Sequence, residues 1–413
     1  MTKNGCQNSS TEISLPNRFQ KRKRTVLEFF AGIGLMQLGL ERQGWSVIFA
    51  NDIDPDKHEI YLQNFPRSKA HFKLGDIHHI DQLELPDALL ATASFPCNDL
   101  SLAGSMAGLS GKQSSAFWGF VRLLKEMGVR RPPLILVENV VGFLSSRGGG
   151  DFSTALKALN ELGYAVDAFI IDAERFVPQS RKRLFVVGNL LAQKVEQPLV
   201  LDSEIRPKRL VDFILNNAGI KWNIRLMPAL PDRKTELKQI VQKLPVDSPE
   251  WWSSERASYL LSQMSPRHKE IADKMMQGRN WSFGTVFRRV RYGKSMAELR
   301  TDGIAGCLRT PRGGSGRQIL FMAGKGKFFA RLVTPIECAR LMGVKRFVLN
   351  VPLNQALFGF GDAVCVPVIE WIAKHYLNPI VKDWSNPLLN GISEPLELNR
   401  LVPLKRSQRQ QLV

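Results

Sequence analysis

Four stretches of this 413-residue chain put reactive side-chain types at the ends of apolar runs. The first holds a thiol. Ser94-Phe95-Pro96-Cys97-Asn98-Asp99-Leu100-Ser101 closes the run ALLATASFP. A free cysteine is most often a small buried hydrophobe, but the proline before this one, the polar residues after it and the following SLAGSMAGLSG suit an accessible loop, where nearby positive charge favours the thiolate. The second is Glu138-Asn139-Val140, closing LILVEN. A carboxylate at the end of so apolar a run is costly unless paired or protonated, and a raised pKa suits a proton donor; capping of the next turn is the plain alternative. The third is Gln179-Ser180-Arg181-Lys182-Arg183, leading into LFVVGN. If extended, it puts Arg181 and Arg183 on one face, so that two guanidinium groups converge; a solvated basic strand start is the alternative.

The fourth stretch has the layout of a nucleoside site. TVLEFF is followed by Gly32 and Gly34, a helical pattern, and a second run ending Asn51-Asp52-Ile53-Asp54. Glycines let backbone approach a ligand, and an acid at the next strand end, here 20 residues beyond Gly32, accepts from ribose hydroxyls. Gln37 stands where the third glycine of GxGxxG belongs. A dinucleotide has a pyrophosphate to cradle and S-adenosylmethionine has none, so the relaxed pattern favours the latter. Gly75-Asp76-Ile77 offers a further carboxylate, suited to an adenine amine.

Positioning these groups requires elements that end together. TVLEFF (25–30), WSVIFAND (45–52), ALLATASFP (88–96), LILVEN (134–139), YAVDAFIID (164–172) and LFVVGN (184–189) have strand length and composition. GLMQLGLERQG, FWGFVRLLKEMG and FSTALKALNELG between them are helical patterns, each ending at a glycine that can cap it. The alternation implies a parallel sheet with helices on both faces. From about 200 to 325 the chain turns basic, Trp-containing and weakly periodic, with the Gly-rich TPRGGSGRQ (310–318). RLVTPIECARLMGV (331–344) and VCVPVIEWIAKHYL (364–377) return to helical patterning, as if the chain re-enters the first domain. The organisation expected is a basic tail at 1–24, a catalytic and cofactor-binding domain at 25–195, a target domain at 196–325, a return at 326–380 and a C-terminal tail at 381–413.

Charge follows the same division. The chain carries +19, of which residues 1–24 hold +5 and residues 205–330, with 24 basic and 10 acidic side chains, hold +14. The remainder is neutral, and charge segregated in this way favours a polyanionic partner such as nucleic acid. Five scattered cysteines without a CxxC pair indicate neither a disulfide framework nor a structural zinc site, and no metal is expected. No apolar run reaches the ~20 residues of a membrane span and the polar start has no signal-peptide pattern, so a cytoplasmic protein is expected.

The order of these motifs decides more than any one of them. FAGIG, ND, GDI, FPC, ENV, QSRKR, a basic insertion, RLVTPIECARLMG and GFGDAV resemble the cytosine-5 DNA methyltransferase family of the bacterial type, over about 25–190 and 306–377. The resemblance implies a Rossmann-like α/β methyltransferase sheet with helices on both faces and a smaller, less regular target-recognition domain. It also implies methyl transfer from S-adenosylmethionine to carbon 5 of a cytosine flipped out of double-stranded DNA, yielding S-adenosylhomocysteine. By position, Cys97 would add to carbon 6 of the base, Glu138 would protonate ring nitrogen 3, Asn139 would help to position the loop, and Arg181 and Arg183 would contact the base and orient the carboxylate. Phe30, Gly32, Gly34, Asp52, Ile53, Asp76, Ile77, Pro96 and Asp362 would hold the cofactor, and Arg309, Thr310, Arg312, Ser315 and Gln318 would contact DNA. Phe95, Asn98, Ile53 and Asp362 depart from the family's usual proline, glutamine, aromatic residue and asparagine. A monomer acting in the nucleoid, with a restriction endonuclease as companion, completes the expectation.

Three rival readings are weighed against this one. A tRNA cytosine-5 methyltransferase shares the catalytic set, but its Cys-Phe-Thr tripeptide is absent from the chain. A non-catalytic DNA-binding protein of the same fold would not need Cys97, Glu138 and Arg181. A nicotinamide-dependent oxidoreductase is disfavoured by Gln37.

Overall fold

The computed structural model describes residues 23–96, 116–192, 202–291, 293–310 and 316–384. Seven strands form the larger sheet: β1 (Thr25–Phe29), β2 (Ser46–Asp52), β3 (Phe72–Leu74), β4 (Leu90–Ala93), β5 (Leu134–Val140), β6 (Ala165–Asp172) and β7 (Lys182–Asn189), in the order β3-β2-β1-β4-β5-β7-β6. The six strand-like runs of the sequence are all present. The three-residue β3, too short to register as a periodic run, supplies the third strand end at which Gly75-Asp76-Ile77 is expected. Central strands read as near-continuous apolar sequence because helices cover both faces, and all of β5 but its last residue is buried.

The expectation of a parallel sheet needs correction at one strand. β1, β2, β3, β4 and β5 pair in parallel, whereas β7 runs antiparallel to β5 and β6. The link between Asp172 and Lys182 is too short for a crossover helix, so the chain turns straight back. This reversal brings the start of β7 to the edge where β5 ends, with Arg183 opposite Val140.

Two apolar clusters flank this sheet. One packs helices Leu35–Glu41, Pro55–Asn64, Pro335–Leu341, Leu353–Asp362 and Val366–Ile372 on one face. The other packs helices Ala116–Glu126, Gly150–Glu161 and Lys208–Asn216 on the opposite face. Three of the patterned helices end at Gly44, Gly128 and Gly163, all with positive φ, as the capping glycines suggested. Contrary to the expectation from the sequence, the helical stretch Leu353–Trp384 is long and apolar enough to cross a membrane, but most of it is buried within the protein.

Strands β8 (Ser282–Arg291), β9 (Lys294–Arg300), β10 (Ile319–Gly324) and β11 (Lys327–Leu332) form an antiparallel sheet in the order β11-β10-β8-β9, packed on helices Ser254–Ser262 and Pro266–Met276 through a third cluster. This part is more regular than its weak periodicity suggested. Ile205, Leu210, Trp222 and Leu230 belong to the clusters of the large sheet, and β11 lies beyond residue 325. The expected RLVTPIECARLMGV helix is likewise divided: Arg331 and Leu332 end β11, and Thr334 caps a helix opened by Pro335, with Glu337 completing a capping box.

Candidate active site

β1 ends in a turn whose backbone is unusual at three positions: Phe30, Gly32 and Gly34 have φ of 58°, 56° and 86°. For Phe30, a side-chain-bearing residue, such a conformation costs on the order of 1–3 kcal/mol, and here it places the residue in the wall of a cleft. Asp52 fastens the turn, its Oδ2 accepting from the Gly32 N–H at 2.8 Å and its Oδ1 from the Asp54 N–H at 2.9 Å. A carboxylate has about four lone-pair sites, so each oxygen keeps capacity for a ribose hydroxyl. Burial pushes the Asp52 carboxyl up, against the opposing pull of the nearby Lys57 ammonium. Asn51 secures the next loop, its Nδ2 donating to the Lys73 and Gly75 carbonyls at 2.8 and 2.9 Å. That loop presents Asp76 and Ile77 to the cleft, and Ile53, 66% exposed, offers an apolar surface beside them.

Gly34 does not line the cleft. A Cβ there would lie 2.4 Å from the Phe65 ring, so this glycine serves the packing of the turn. Beneath it lies a polar cluster that sequence reasoning missed. Glu28, fully buried in β1, accepts from the Gln37 N–H at 3.2 Å and from the Tyr61 hydroxyl at 3.1 Å. The Gln37 side chain contacts the Tyr61 hydroxyl and donates to Glu41 at 2.6 Å, which accounts for a buried glutamine where a dinucleotide fingerprint has glycine. Burial pushes the Glu28 carboxyl up to about 8. The signal was available, since an acid inside TVLEFF is as anomalous as the one ending LILVEN.

At the other end of the cleft, Glu138 is buried and its Oε1 lies 2.9 Å from Arg183 Nε. Burial raises the Glu138 carboxyl, while Arg183, Arg181 and a hydrogen bond from Ser94 hold it down. Asn139 donates to the Phe95 carbonyl at 3.3 Å and accepts from the Val140 N–H at 2.8 Å, tying the end of β5 to the segment that leads to Pro96. Pro96 lines the cleft. Cys97, which follows it, lies outside the described residues.

The expected convergence of both arginines on a base needs correction. Arg181 does not line the cleft. Its Nη1 donates to the Leu308 carbonyl at 2.8 Å, and its Nη2 donates to the carbonyls of Gly361 at 3.0 Å and Ala363 at 2.5 Å. Gln179 acts alongside it, donating to the Leu341 carbonyl at 2.8 Å and accepting from the Leu308 N–H at 3.0 Å. The QSRKR segment therefore staples 305–308 and 361–363 to the sheet, and Arg183 is the member that reaches Glu138.

Of the expected DNA-contacting residues, Arg309 is exposed and Thr310 half-buried, whereas Gln318 is buried against Gly306 and the Cys307 carbonyl and is turned away from solvent. Arg312 and Ser315 lie outside the described residues. A Cβ on Gly361 would lie 2.5 Å from the Thr310 nitrogen, so the loop carrying Arg309 approaches the cleft wall more closely than any side chain permits.

The cleft has a volume of about 430 Å³, within the range of small-molecule sites. It crosses the carboxyl ends of the parallel strands, from Asp76 and Ile77 after β3, past Asp52 and Ile53 at β2 and the glycine turn of β1, to Ser94 and Pro96 after β4 and Glu138 on β5. Where β1 meets β4 the strand order reverses, the place at which open α/β sheets bind ligands. Among the described residues, the carboxylates of Asp52 and Asp76 and the apolar surface of Ile53 could hold a nucleoside such as that of S-adenosylmethionine.

This fold and cleft define a Rossmann-like methyltransferase. The family profile described as C-5 cytosine-specific DNA methylase matches residues 24–378, and the chain belongs to that family. Among its relatives, the Type II methyltransferase M.HaeII of Haemophilus aegyptius is 32% identical over 86% of this chain and 93% of its own length. M.NgoBI of Neisseria gonorrhoeae is 31% identical over 84% and 90%. In fold, the chain is similar to the Dnmt2 methyltransferase of S. pombe, with a TM-score of 0.57 at 17% identity, covering 87% of this chain and 99% of that one.

Proposed function

We infer that this chain transfers a methyl group from S-adenosylmethionine to carbon 5 of cytosine in double-stranded DNA. The observation that carries the reading is the Glu138–Arg183 pair, buried at the far end of a cleft whose near end suits a nucleoside. S-adenosylmethionine supplies an electrophilic methyl group on a sulfonium that can leave as a neutral thioether. The residues must make carbon 5 nucleophilic, which it is not in free cytosine.

In this reading the Cys97 thiolate bonds to carbon 6, and the electron pair of the 5,6 double bond is drawn toward ring nitrogen 3, which takes the Glu138 proton. Arg183 holds one carboxyl oxygen of Glu138 and so aims the other at the base. The resulting enamine attacks the methyl group through carbon 5. Loss of the carbon 5 proton to water then re-forms the 5,6 double bond and expels the Cys97 thiolate, and ring nitrogen 3 returns its proton to the Glu138 carboxylate. Reaching this pocket requires flipping the base from the duplex, which costs a few kcal/mol and is offset by backbone contacts. Arg309 and Thr310, at the rim, are proposed for such contacts.

Purified protein with labelled S-adenosylmethionine is expected to label unmethylated genomic DNA and not transfer RNA. Label in RNA alone, or in neither, overturns the reading. Cys97→Ser should abolish transfer and leave cofactor affinity within a few-fold; retained turnover would remove Cys97 from the mechanism. The name of the relatives further supports a companion restriction endonuclease, in which case DNA from an expressing host resists cleavage at one sequence. Action as a monomer is proposed too, and a single protomer mass in solution checks it.

A further inference from the structure

Two guanidinium groups act on Glu138, yet its part in the reaction requires that carboxyl to be neutral. Arg183 Nε lies 2.9 Å from Glu138 Oε1, and the Arg183 side chain is largely buried. Arg181, buried as well, donates to the carbonyls of Leu308, Gly361 and Ala363, which carry no net charge. Whenever Glu138 holds a proton, the two cations lose the carboxylate that balances them. An uncompensated buried charge is costly, so the pair by itself drives the proton off Glu138. A second anion would relieve that conflict. Among the described residues, the side chains that could give Arg181 a negative partner are Glu138, Cys307 and Cys365. Burial pushes the Cys365 thiol up to about 12, which keeps it neutral. Asp172 is engaged by the backbone N–H of Arg181, at 2.7 Å. Cys307 remains.

We propose that Cys307 is a positioning residue whose thiolate is the counter-ion shared by Arg181 and Arg183, leaving Glu138 free to hold the proton it gives to the base. The inference rests on the proposed reaction, in which Glu138 is the donor. Cys307 Sγ lies 3.4 Å from Arg181 Nη1, and the sulfur also takes a hydrogen bond from the Arg183 side chain. A neutral S–H would donate to the Leu308 carbonyl, 3.3 Å away, but that oxygen already accepts from Arg181. Burial raises the Cys307 thiol, and Arg181, Arg183 and the exposed Arg309 together carry it below the ordinary thiol value. The charge reaches Glu138 through Arg183. A guanidinium shared with a thiolate still holds the carboxyl by its Nε–H, without requiring that the carboxyl be ionised. Cys307 itself forms no bond to substrate. It belongs to the 305–308 segment that leads to Arg309 and Thr310, so the chain that presents those residues also supplies a charge to the chemistry.

The test reads the alkaline limb of kcat against pH, which reports loss of the essential acid in the substrate complex. Cys307→Ser keeps the size and the hydrogen bonds but not the charge. Both arginines then lean on Glu138 alone, its carboxyl falls, and the limb should move down by about one pH unit, a roughly tenfold loss of turnover on the alkaline side. KM for DNA and for S-adenosylmethionine should stay within a few-fold. Cys307→Asp restores an anion and should bring the limb most of the way back. A Ser variant with the wild-type limb overturns the proposal, as does an Asp variant no better than Ser, which would mean that the residue only fills space. A second measurement does not depend on turnover or on the Asp variant folding. Near neutral pH, the ultraviolet thiolate absorbance of Cys97→Ser should exceed that of Cys97→Ser with Cys307→Ser by one thiolate equivalent, and equal absorbance overturns the proposal. Wild type that methylates no DNA would instead overturn the proposed reaction, while the absorbance still reports on Cys307.

Discussion

Two buried acids divide the labour of this protein at the scale of single residues. Glu138 is raised by burial, against the pull of the paired Arg183, and the upward direction favours the protonated form that can give a proton to a base placed at the end of the cleft. Glu138→Gln keeps a hydrogen-bond donor but no transferable proton. It should lower turnover by roughly 10²- to 10⁴-fold while DNA and S-adenosylhomocysteine affinities stay within a few-fold; near-normal turnover would reassign the proton. Glu28 has no route to substrate and affects stability alone. Its carboxyl moves from an ordinary 4.5 to about 8 on folding, so the unfolded chain releases that proton first. Its stabilising contribution is complete below about 4.5, falls by ~1.4 kcal/mol per pH unit as pH rises, and is lost once pH passes about 8. Glu28→Gln should flatten that slope, and parallel denaturant midpoints for the two proteins between pH 5 and 8 would refute the assignment. Glu138 and Asp52 stand out in the sequence because each is a polar anomaly at the end of an apolar run. Arg181 and Gln318 do not reveal their roles there, because their partners, the carbonyls of Leu308, Gly361, Ala363 and Cys307, are backbone atoms brought near only by the fold.

The elements of the large sheet are legible for a related reason: central strands covered on both faces and glycine-capped amphipathic helices leave strong patterns. The small sheet is not, since β8 runs from buried to exposed along its length, β10 and β11 show no steady alternation, and its helices near residues 254–276 bury few side chains. Its β8–β9 hairpin gives the basic segment a definite shape. β10 begins at Ile319, just beyond the 309–318 loop, and Ile319 pairs with Val286. Residues 287–291 of β8 and their β9 partners 294–298 therefore project past β10, on the side from which that loop enters, by about 17 Å at ~3.4 Å per residue. This arm carries Arg288, Arg289, Arg291 and Lys294 against the single acid Glu298, which pairs with Arg289 and Arg291. An arm of this charge, on the same side of the sheet as the 309–318 loop, suits the phosphates of a DNA duplex. Replacing Arg288, Arg289 and Lys294 with Gln should reduce the slope of log affinity against log salt by roughly 0.9 for each phosphate that is no longer neutralised. Removal of residues 1–24 should change the slope less. Equal slopes for the arm variant and wild type would place the phosphate-binding cations elsewhere.

Across the whole molecule, target reading and chemistry can act together only if the two sheets hold a fixed relation, and one buried pair bears much of that demand. Arg331 at the end of β11 and Glu337 in the helix that follows are each 1% exposed, with Nη1–Oε2 and Nη2–Oε1 separations of 2.7 and 2.6 Å. Glu337 also accepts from the Thr334 and Gln242 N–H groups, at 2.9 and 2.8 Å, so a single carboxylate ties the small sheet, a helix start and the incoming linker together. Such a pair contributes little over a well-packed apolar substitute, but removing one partner strands a buried charge at about 3–5 kcal/mol. Glu337→Gln should therefore destabilise the protein by about that amount, and Arg331→Met with Glu337→Leu should recover most of it, less ~1 kcal/mol for the missing cap. The loss should also be local. β4 and β5 are central strands of the large sheet, whereas β11 carries Arg331 itself and pairs with β10, so hydrogen exchange in Glu337→Gln should quicken in β10 and β11 and stay slow in β4 and β5. If the small sheet loosens in this way, the 309–318 loop loses its register with the cleft, and DNA affinity falls while S-adenosylhomocysteine still binds. Uniform exchange in both sheets, or DNA and cofactor affinities that fall together, would mean that the pair supports the fold as a whole and does not set the relation between its parts.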